Sequence, residues 1–471
     1  MVIGRIADGL TRGVEATVST VSEAFFEPVV RLGVTGLSRA GKTVFITSLV
    51  ANLLDRGRMQ GLVGASEGTI RAAYLQPQPD NTIPRFDYET HLAALKSETP
   101  HWPESTRSVS ELRLSFRVQP KGLLAGLSGI RTLHVDIVDY PGEWLLDLSL
   151  LETDFSAWSK KTLDRARART EAERFLAVLE TVDPNARTDE PTARSLADSF
   201  TEYLTAARGA GYADCTPGRF LLPGELAGSP VLTFAPVPPG RTGRGSLARE
   251  FERRFEAYKR EVVRPFFRDH FARIDRQVVL VDMLEAIAAG PAAVEDLREA
   301  MADILAAFRP GRNVFLTELL RGRRVERILF AATKADHLHH TQHGRLTTIA
   351  EAVLADAKSR AEFAGAETKA LAIASLRATT EDRMRHGGDE IDVVRGILAS
   401  TGKPAAFHPG SLPEDPATLL TPAAQSADAW PLGDYGSMRF APQPFTSRPG
   451  EGPPHIRLDK AAEYLIGDRL R

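Results

Sequence analysis

Four residues near the start of the chain have the types and spacing of a loop that holds phosphate groups. Residues 36–43 read GLSRAGKT, which fits the pattern G-x-x-x-x-G-K-[ST]. In such a loop the glycines let backbone N–H groups turn toward phosphate oxygens, and the following helix adds the positive end of its dipole. Lys42 then reaches the β- and γ-phosphates, and the hydroxyl of Thr43 binds Mg²⁺. The pattern predicts nucleotide contacts from Ser38, Arg39, Ala40, Gly41, Lys42, Thr43 and Val44.

An acidic residue at the end of an apolar stretch is the second candidate for phosphate chemistry. Residues 130–138 form the apolar stretch, and residues 139–142 read DYPG, which fits D-x-x-G. P-loop NTPases place this aspartate beside the phosphates. We therefore expect Asp139 to hold Mg²⁺ through water and the Gly142 N–H to contact the γ-phosphate.

The predicted catalytic residues are Glu143, Lys42 and Thr106. Glu143 follows the D-x-x-G pattern, at the position that orients the attacking water in GTPases. A carboxylate can hold a water but also repels the γ-phosphate, so the sequence predicts slow intrinsic hydrolysis. Thr106 lies just before the predicted strand at 110–118 and is the candidate for sensing both the γ-phosphate and Mg²⁺. The alternative for Thr106 is an ordinary loop threonine.

A third motif, TKAD at residues 333–336, matches the [NT]-K-x-D pattern that reads guanine. The aspartate accepts hydrogen bonds from guanine N1–H and the 2-amino group, and the lysine stem lies along the base. Adenine lacks this donor pattern, and each charge-assisted bond is worth about 1.5–3 kcal/mol. Residues 369–377 read as a strand and a small-residue loop whose backbone supports the base. The predicted base contacts are Thr333, Lys334, Asp336, Ser375 and Leu376.

These motifs require strands that end at one edge of a sheet. Helical spacing predicts a helix at 44–54, and short apolar or alternating runs predict strands at 31–35, 110–118, 130–138, 277–282 and 325–332. The strands at 110–118 and 130–138 are predicted to pair as an antiparallel hairpin. The alternation of strands and helices predicts an α/β fold: a P-loop NTPase with a GTPase-like core, a mostly parallel sheet and an inserted helical subdomain.

The spacing between the motifs divides the chain into five predicted parts. Helical patterns at 163–182, 191–209 and 246–274 account for most of the long interval after the D-x-x-G motif. The parts are an N-terminal amphipathic helix at 1–28, the first part of the GTPase-like core at 29–146, the inserted helical subdomain at 147–275, the second part of the core at 276–408, and an irregular C-terminal segment with a short helix at 409–471.

Composition narrows the class of protein and its partners. A formal net charge of −2 argues against a general nucleic-acid binder, so we expect no nucleic-acid partner. The single cysteine, Cys215, excludes an internal disulfide and fits a reducing, cytoplasmic setting. No apolar run reaches the length of a membrane span. The apolar spacing at 3–21 favours a helix packed on the domain, with peripheral membrane or partner contact as the alternative.

Four further features each admit a structural and a functional interpretation. For Arg39, solvent exposure or a salt bridge is favoured over phosphate contact, and for Trp144 core packing is favoured over shielding of the site. The helical pattern at 249–273 favours a salt-bridged face over contact with acidic lipids or a partner. For the four histidines at 337–343, a polar surface loop is favoured over a metal cluster. The stretch contains no cysteine and no H-E-x-x-H pattern, and close spacing alone is weak evidence for a metal site. The four histidines are His337, His339, His340 and His343.

Taken together, the motifs resemble those of the YcjX-like family of bacterial stress proteins. The resemblance is carried by residues 33–43, 102–106, 139–146, 332–337 and 455–459, and the run DYPGEW at 139–144 is its most specific part. The resemblance implies a cytoplasmic, stress-associated P-loop protein that binds guanine nucleotides through a GTPase-like core with added helices. It names no pathway.

The resulting hypothesis is a protein that binds GTP and GDP with Mg²⁺, hydrolyses GTP slowly and acts as a stress-associated molecular switch. One alternative is a nucleotide-stabilised interaction protein with negligible turnover, and another is an ATPase. An unknown protein partner is expected, with a possible peripheral membrane contact through the N-terminal helix.

Overall fold

Seven strands form the central sheet of the computed structural model. They are β1 (Val29–Gly36), β2 (Ile70–Gln76), β3 (Ser110–Val118), β4 (Arg131–Asp139), β5 (Arg276–Val281), β6 (Arg327–Ala332) and β7 (Glu367–Ala372). Their order is β2-β3-β4-β1-β5-β6-β7. Strands β4, β1, β5, β6 and β7 are parallel, whereas β3 pairs antiparallel with β2 and β4. The predicted mostly parallel sheet and the predicted hairpin are confirmed.

The structure describes residues 27–36, 39–104, 108–120, 129–238, 243–306, 325–420, 430, 435–445 and 448–471. The predicted N-terminal helix lies outside these ranges up to residue 26. Within them the α-helices are α1 (Lys42–Leu54), α2 (Val63–Ser66), α3 (Tyr88–Lys96), α4 (Glu143–Leu146), α5 (Phe155–Arg167), α6 (Glu173–Glu180), α7 (Glu190–Gly209), α8 (Gly218–Leu221), α9 (Leu247–Tyr258), α10 (Arg264–Asp269), α11 (Met283–Ala289), α12 (Pro291–Ala306), α13 (His343–Val353), α14 (Ala355–Phe363) and α15 (Leu458–Ile466).

The central strands supply two apolar cores, one on each face of the sheet. Val278 and Leu280 of β5 belong to the core that includes side chains of α1 and α15. Val279 and Val281 belong to the other core, which continues into the helices between β4 and β5. Because alternate side chains of a strand point to opposite faces, a strand covered on both faces is apolar throughout. This explains why β5 is recognisable from its sequence.

The helices between β4 and β5 pack around a cluster of aromatic rings. The ring of Trp158 stacks on Phe255 at a centroid distance of 5.0 Å and meets Phe200 and Phe234 edge-on. Aromatic pairs of this kind add stabilisation beyond the area they bury. The outer face of α9 carries ion pairs, such as that of Arg253 with Glu250, as the favoured interpretation of this arginine-rich stretch predicts.

Two of the predicted helices are interrupted. The predicted helix at 163–182 is wrong as a continuous element, since α5 ends at Arg167 and α6 begins at Glu173. Between them Arg169 is extended and its guanidinium pairs with the buried Asp296, so a distant partner breaks the helix. The predicted helix at 246–274 begins at its serine cap but passes through the π-helical turn Lys259–Val263 and ends at Asp269.

A second sheet was missed by the sequence analysis. Its strands are β8 (Thr380–His386), β9 (Asp389–Leu398), β10 (Pro404–Phe407) and β11 (Phe440–Ala441), and β9 pairs antiparallel with the other three. The sequence analysis assigned 380–407 to the GTPase-like core and 440–441 to an irregular segment. Strand β8 is mostly exposed and has no apolar alternation, so its sequence lacks the signal on which strand prediction depends.

Candidate nucleotide-binding site

The phosphate loop joins β1 to α1 through a turn in which glycine is needed twice. A Cβ at Gly36 would lie 2.9 Å from the Cβ of Leu280, so β5 leaves no room for a larger residue. Gly41 has a φ of +82°, in the left-handed region that favours glycine. Gly41 is also the N-cap of α1 and has no side chain to occupy the N–H groups of the first turn. Such N–H groups bind anions at helix N-termini.

The remaining predicted loop contacts have different environments. Ala40 is buried, Val44 is half-buried in the first turn of α1, and Arg39 is exposed with a φ of +65°. The exposure of Arg39 agrees with the favoured structural interpretation. Ser38 and Thr106 lie outside the described residues.

Lys42 and Asp139, which are far apart in the sequence, form an ion pair. Lys42 Nζ lies 2.8 Å from Asp139 Oδ1 and donates to the Tyr140 carbonyl oxygen at 2.8 Å. Asp139 is fully buried, and among the described residues its carboxylate has no hydrogen-bond partner beyond this ion pair. Ser110 pairs with Asp139 in the register of β3 and β4, and its buried hydroxyl also has no hydrogen-bond partner among the described residues. Because buried unpartnered polar groups are costly, this corner suits a ligand that supplies partners.

The segment that leads to Thr106 lies beside the phosphate loop. Thr43 Oγ1 lies 3.5 Å from the carbonyl oxygen of Glu104, which precedes Thr106 by two residues. The indole N–H of Trp102 donates to the Phe440 carbonyl oxygen at 2.8 Å. This segment therefore reaches from Thr43 to strand β11 of the small sheet.

The helical region packs directly on the D-x-x-G loop. The ring of Tyr140 lies edge-on to Phe266 of α10, at a centroid distance of 6.0 Å. Trp144 is buried, and its indole N–H donates to the Leu222 carbonyl oxygen at 3.2 Å. The guanidinium carbon of Arg219 lies 3.2 Å from the centre of the same ring, in a cation–π contact. The favoured prediction of core packing for Trp144 is confirmed.

Glu143 faces an arginine from the helical region. Glu143 Oε1 lies 3.4 Å from Nη1 of Arg208, near the end of α7. Gly218 approaches the same loop so closely that a Cβ there would overlap the Glu143 carbonyl oxygen. The helical region thus constrains both the backbone and the charge of Glu143.

Asp147 connects this loop to the helical region through a buried carboxyl group. Its Oδ1 accepts from the Gly218 N–H at 2.7 Å and its Oδ2 accepts from the Tyr258 hydroxyl at 2.5 Å. Burial raises the pKa of Asp147 to about 7, and the two hydrogen bonds only partly oppose that rise.

The TKAD motif follows β6 and is held by β5. The Thr333 N–H donates to the Val281 carbonyl oxygen at 2.9 Å. Lys334 has a φ of +59°, and its ammonium group pairs with Asp282 at the end of β5. These contacts hold Thr333 and the Lys334 ammonium group at the carboxyl end of β5.

Asp336 is buried and held by the loop that follows β7. Its Oδ2 accepts from the Ala378 N–H at 2.9 Å, and its carbonyl oxygen accepts from the Thr379 hydroxyl. The predicted base-contact residues Ser375 and Leu376 lie in the same loop and are buried. The structure therefore brings this loop and Asp336 together.

The two groups of motifs lie at one edge of the central sheet. Lys42 follows β1 and Asp336 follows β6, and the parallel strand β5 lies between them. Since neighbouring strands are about 4.8 Å apart, β1 and β6 are separated by about 10 Å. In open α/β sheets, ligands bind outside the carboxyl ends of the strands, and the motifs face that position.

Arg208, Asp147 and Ala378 were not identified from the sequence. Arg208 is one of many arginines in a helical pattern, and Ala378 acts through a backbone N–H that every residue except proline carries. Asp147, four residues after Glu143, is the one of the three that its sequence does mark, because an acid inside an apolar run is a signal of a buried carboxyl group.

The fold and these motifs define an α/β P-loop NTPase with a GTPase-like core. The model of the YcjX-like family, DUF463, matches residues 30–470. A protein of Escherichia coli strain K12 named Ras-like GTPase YcjX is 38% identical over 458 residues, which cover 94% of this chain and 96% of that protein. A Shewanella oneidensis protein of the same name is 35% identical over 467 residues, which cover 93% and 94% of the two chains.

The chain belongs to the YcjX-like family, and the resemblance drawn from the motifs is confirmed. In the part of the chain that the structure describes, no helix is both long and apolar enough to cross a bilayer.

Proposed function

We propose that the chain binds GTP and GDP with Mg²⁺ and hydrolyses GTP slowly. The observation that carries this proposal is the ion pair of Lys42 with the buried Asp139, whose carboxylate has no other partner among the described residues, at the sheet edge that also bears Asp336. The name of the two relatives, Ras-like GTPase YcjX, supports the choice of reaction.

The phosphate end has the donors and acceptors that a triphosphate and Mg²⁺ require. Without a ligand, the Lys42 ammonium neutralises Asp139; a bound γ-phosphate offers it a stronger anion. Thr43 and Asp139, with Thr106 in the triphosphate state, would hold Mg²⁺, an ion that prefers oxygen ligands. Mg²⁺ supplies charge neutralisation on the phosphates. The Gly142 N–H is proposed to bind the γ-phosphate.

Glu143 is proposed to orient the attacking water. The repulsion between its carboxylate and the γ-phosphate is offset by Arg208, whose guanidinium lies 3.4 Å away. Arg208 is therefore a positioning residue that keeps the carboxylate next to the phosphate. Hydrolysis remains slow, on the order of 10⁻⁴ to 10⁻² per second, as in GTPases without an activating partner.

The base end is proposed to select guanine through Asp336. The Ala378 N–H holds one carboxylate oxygen, which orients the group toward a donor pair such as guanine N1–H and the 2-amino group. Thr333, Lys334, Ser375 and Leu376 complete the proposed pocket. An ATPase, the alternative considered from the sequence, would leave this buried carboxylate facing the wrong edge of the base.

A switch role follows from the packing of the helical region on the D-x-x-G loop. Nucleotide hydrolysis removes the γ-phosphate contact of Gly142, and the contacts of Trp144 and Gly218 pass the change to the helices. The family resemblance adds the association with stress and a cytoplasmic location. The proposed reader of the switch is a protein partner.

Phosphate release from GTP and Mg²⁺ by the purified full chain tests this function. We expect slow, magnesium-dependent release that is lost in Lys42→Ala, and competition for labelled GTP by unlabelled GDP but not by ATP. GTP binding without phosphate release would favour the interaction-protein alternative. Equal competition by ATP would remove the guanine assignment.

A further inference from the structure

A cluster of metal-ligating side chains lies next to the proposed base end. His339 and His340 follow Asp336 by three and four residues, and Glu381 belongs to β8. One candidate ligand atom of each of these three side chains lies within 4.8 Å of the other two. The proposed nucleotide site uses none of the three.

The grouping differs from the run of histidines in the sequence. His343 is buried, and its Nε2 lies 2.7 Å from the Ala335 carbonyl oxygen. The ring of His337 packs edge-on against Phe440. The fold therefore separates these two histidines from the cluster and brings in a carboxylate that lies about 40 residues away in the chain.

The distances within the cluster suit a small cation. Glu381 Oε2 lies 2.6 Å from His340 Nδ1 and 3.8 Å from His339 Nε2. Around tetrahedral zinc, with bonds of about 2.0–2.2 Å, ligand atoms are separated by roughly 3.3–3.5 Å. The observed distances bracket this value. The His340 side chain is 64% exposed, so its ring can rotate to lengthen its own distance to Glu381.

A second carboxylate orients the buried histidine. Asp392 Oδ2, from β9, lies 3.2 Å from His339 Nδ1, and the Thr341 hydroxyl oxygen lies 3.0 Å from the same nitrogen. An adjacent carboxylate favours the proton on Nδ1, which leaves the Nε2 lone pair on the side of Glu381. Carboxylates in this outer position are typical of metal-ligating histidines.

The two oxygens of Glu381 have different neighbours. Oε1 lies 3.6 Å from Nη2 of Arg377, whereas Oε2 faces the two histidines. One oxygen is thus paired with a cation of the protein, and the other is directed into the cluster. A metal ion bound there would replace the direct contacts of Oε2 with His340 and His339.

We propose that His339, His340 and Glu381 bind one divalent cation of the zinc class. Two imidazoles and one carboxylate suit Zn²⁺ and Co²⁺ better than Mg²⁺ or Ca²⁺, which prefer all-oxygen sites. Three protein ligands leave the fourth tetrahedral position to water.

The cation would join the turn after Asp336 to the first strand of the small sheet. Ala378, whose N–H holds Asp336, lies three residues before Glu381. Metal binding therefore clamps the loop that orients the proposed base-reading carboxylate. This consequence depends on the proposed function, whereas the metal site itself does not.

Zinc titration of the metal-free full chain tests the site. We expect one Zn²⁺ per chain by calorimetry and elemental analysis, and Co²⁺ in its place should show the intense visible absorption of four-coordinate geometry. Glu381→Gln and His340→Ala should weaken binding by about 100-fold, and Asp392→Asn by about 10-fold. His386→Ala, an exposed histidine at the other end of β8, is the matched control and should bind as the wild type does.

Two results would overturn the proposal: no stoichiometric zinc on the wild-type chain, or equal affinity in the wild type and Glu381→Gln. Thermal unfolding of each metal-free variant establishes that the substitution leaves the fold intact. The affinities for GDP and ADP measured on the same samples separate the two proposals, because retained zinc binding with no preference for GDP would count only against the proposed function.

Discussion

The two ends of the proposed nucleotide site each contain a buried aspartate, but the two carboxylates are held differently. Asp139 has only the flexible side chain of Lys42 as a partner among the described residues, whereas Asp336 accepts a hydrogen bond from the rigid backbone at Ala378. The phosphate end can therefore rearrange when a ligand arrives, and the base end is set in advance. The proposed switch uses this difference, because in that proposal the base anchors the nucleotide and the phosphate end responds to the γ-phosphate.

The structures around the two ends also differ in how much freedom they leave. Aromatic and ionic contacts of the helical region cover the D-x-x-G loop, whereas the C-terminal segment and the small sheet support the base loop. The N–H groups of Ala374 and Arg377 donate to the carbonyl oxygens of Ile456 and Pro454. Backbone hydrogen bonds of this kind leave less freedom than the side-chain contacts at the phosphate end.

The largest expected effect is the loss of nucleotide affinity when Lys42 is replaced at the phosphate end. Lys42→Ala removes the cation that reaches the phosphates and leaves Asp139 without its ion-pair partner, so GDP affinity should fall at least ~100-fold. Binding of a fluorescent GDP analogue measures this, with the exposed Lys96→Ala as the control. Affinity within about threefold of the wild type would contradict the phosphate-loop assignment.

The base end is tested by Asp336→Asn. The asparagine keeps an acceptor for the Ala378 N–H but presents an amide donor to the base, so the ratio of xanthine to guanine nucleotide affinity should rise ~100-fold. Competition between the two diphosphates measures the ratio, and an unchanged melting temperature shows that the loop is intact. Asp389→Asn, exposed on β9, is the control. An unchanged ratio would mean that Asp336 does not read the base.

A smaller effect is expected where the helical region meets the phosphate end. Arg208→Ala should lower the rate of GTP hydrolysis about tenfold while GDP affinity changes little, because the guanidinium acts through Glu143. Arg208→Lys should restore part of the rate, and Arg194→Ala on the same helix should have no effect. In a Glu143→Gln background the substitution of Arg208 should lose its effect. A full tenfold loss in that background would show that Arg208 acts elsewhere.

The smallest expected effect is a change in how thermal stability depends on pH when Asp147 is replaced. The pKa of Asp147 rises from an ordinary value near 4 to about 7 in the folded chain, because burial disfavours the charged form. The stabilisation from the protonated carboxyl group is complete below about pH 4 and is lost as the pH rises through 7. The side chain at position 147 in the Asp147→Asn variant cannot ionise. As the pH rises from about 5 to 8, the melting temperature of the variant minus that of the wild type should therefore increase by a few degrees. A constant difference would show that Asp147 ionises normally.

Local patterns were enough to predict the central part of the GTPase-like core. The GLSRAGKT and DYPG stretches and the apolar strand β5 each carry their signal within about ten residues, because turn chemistry and strand burial impose it locally. The same reasoning failed for the helix at 163–182, where Arg169 turns inward to pair with Asp296 more than a hundred residues away. It also failed for β8, which is polar and mostly exposed.

By itself, the sequence indicated which residues are candidates to bind phosphate, Mg²⁺ and base, and that parallel strands would bring them to one edge. Only the tertiary structure decided which groups support them: Arg208 at Glu143, the Ala378 N–H at Asp336, and Glu381 beside His339. The physical reason is that a charged side chain or a backbone N–H acquires its role from a partner distant in the chain. The local sequence around such a group does not show which residue that partner will be.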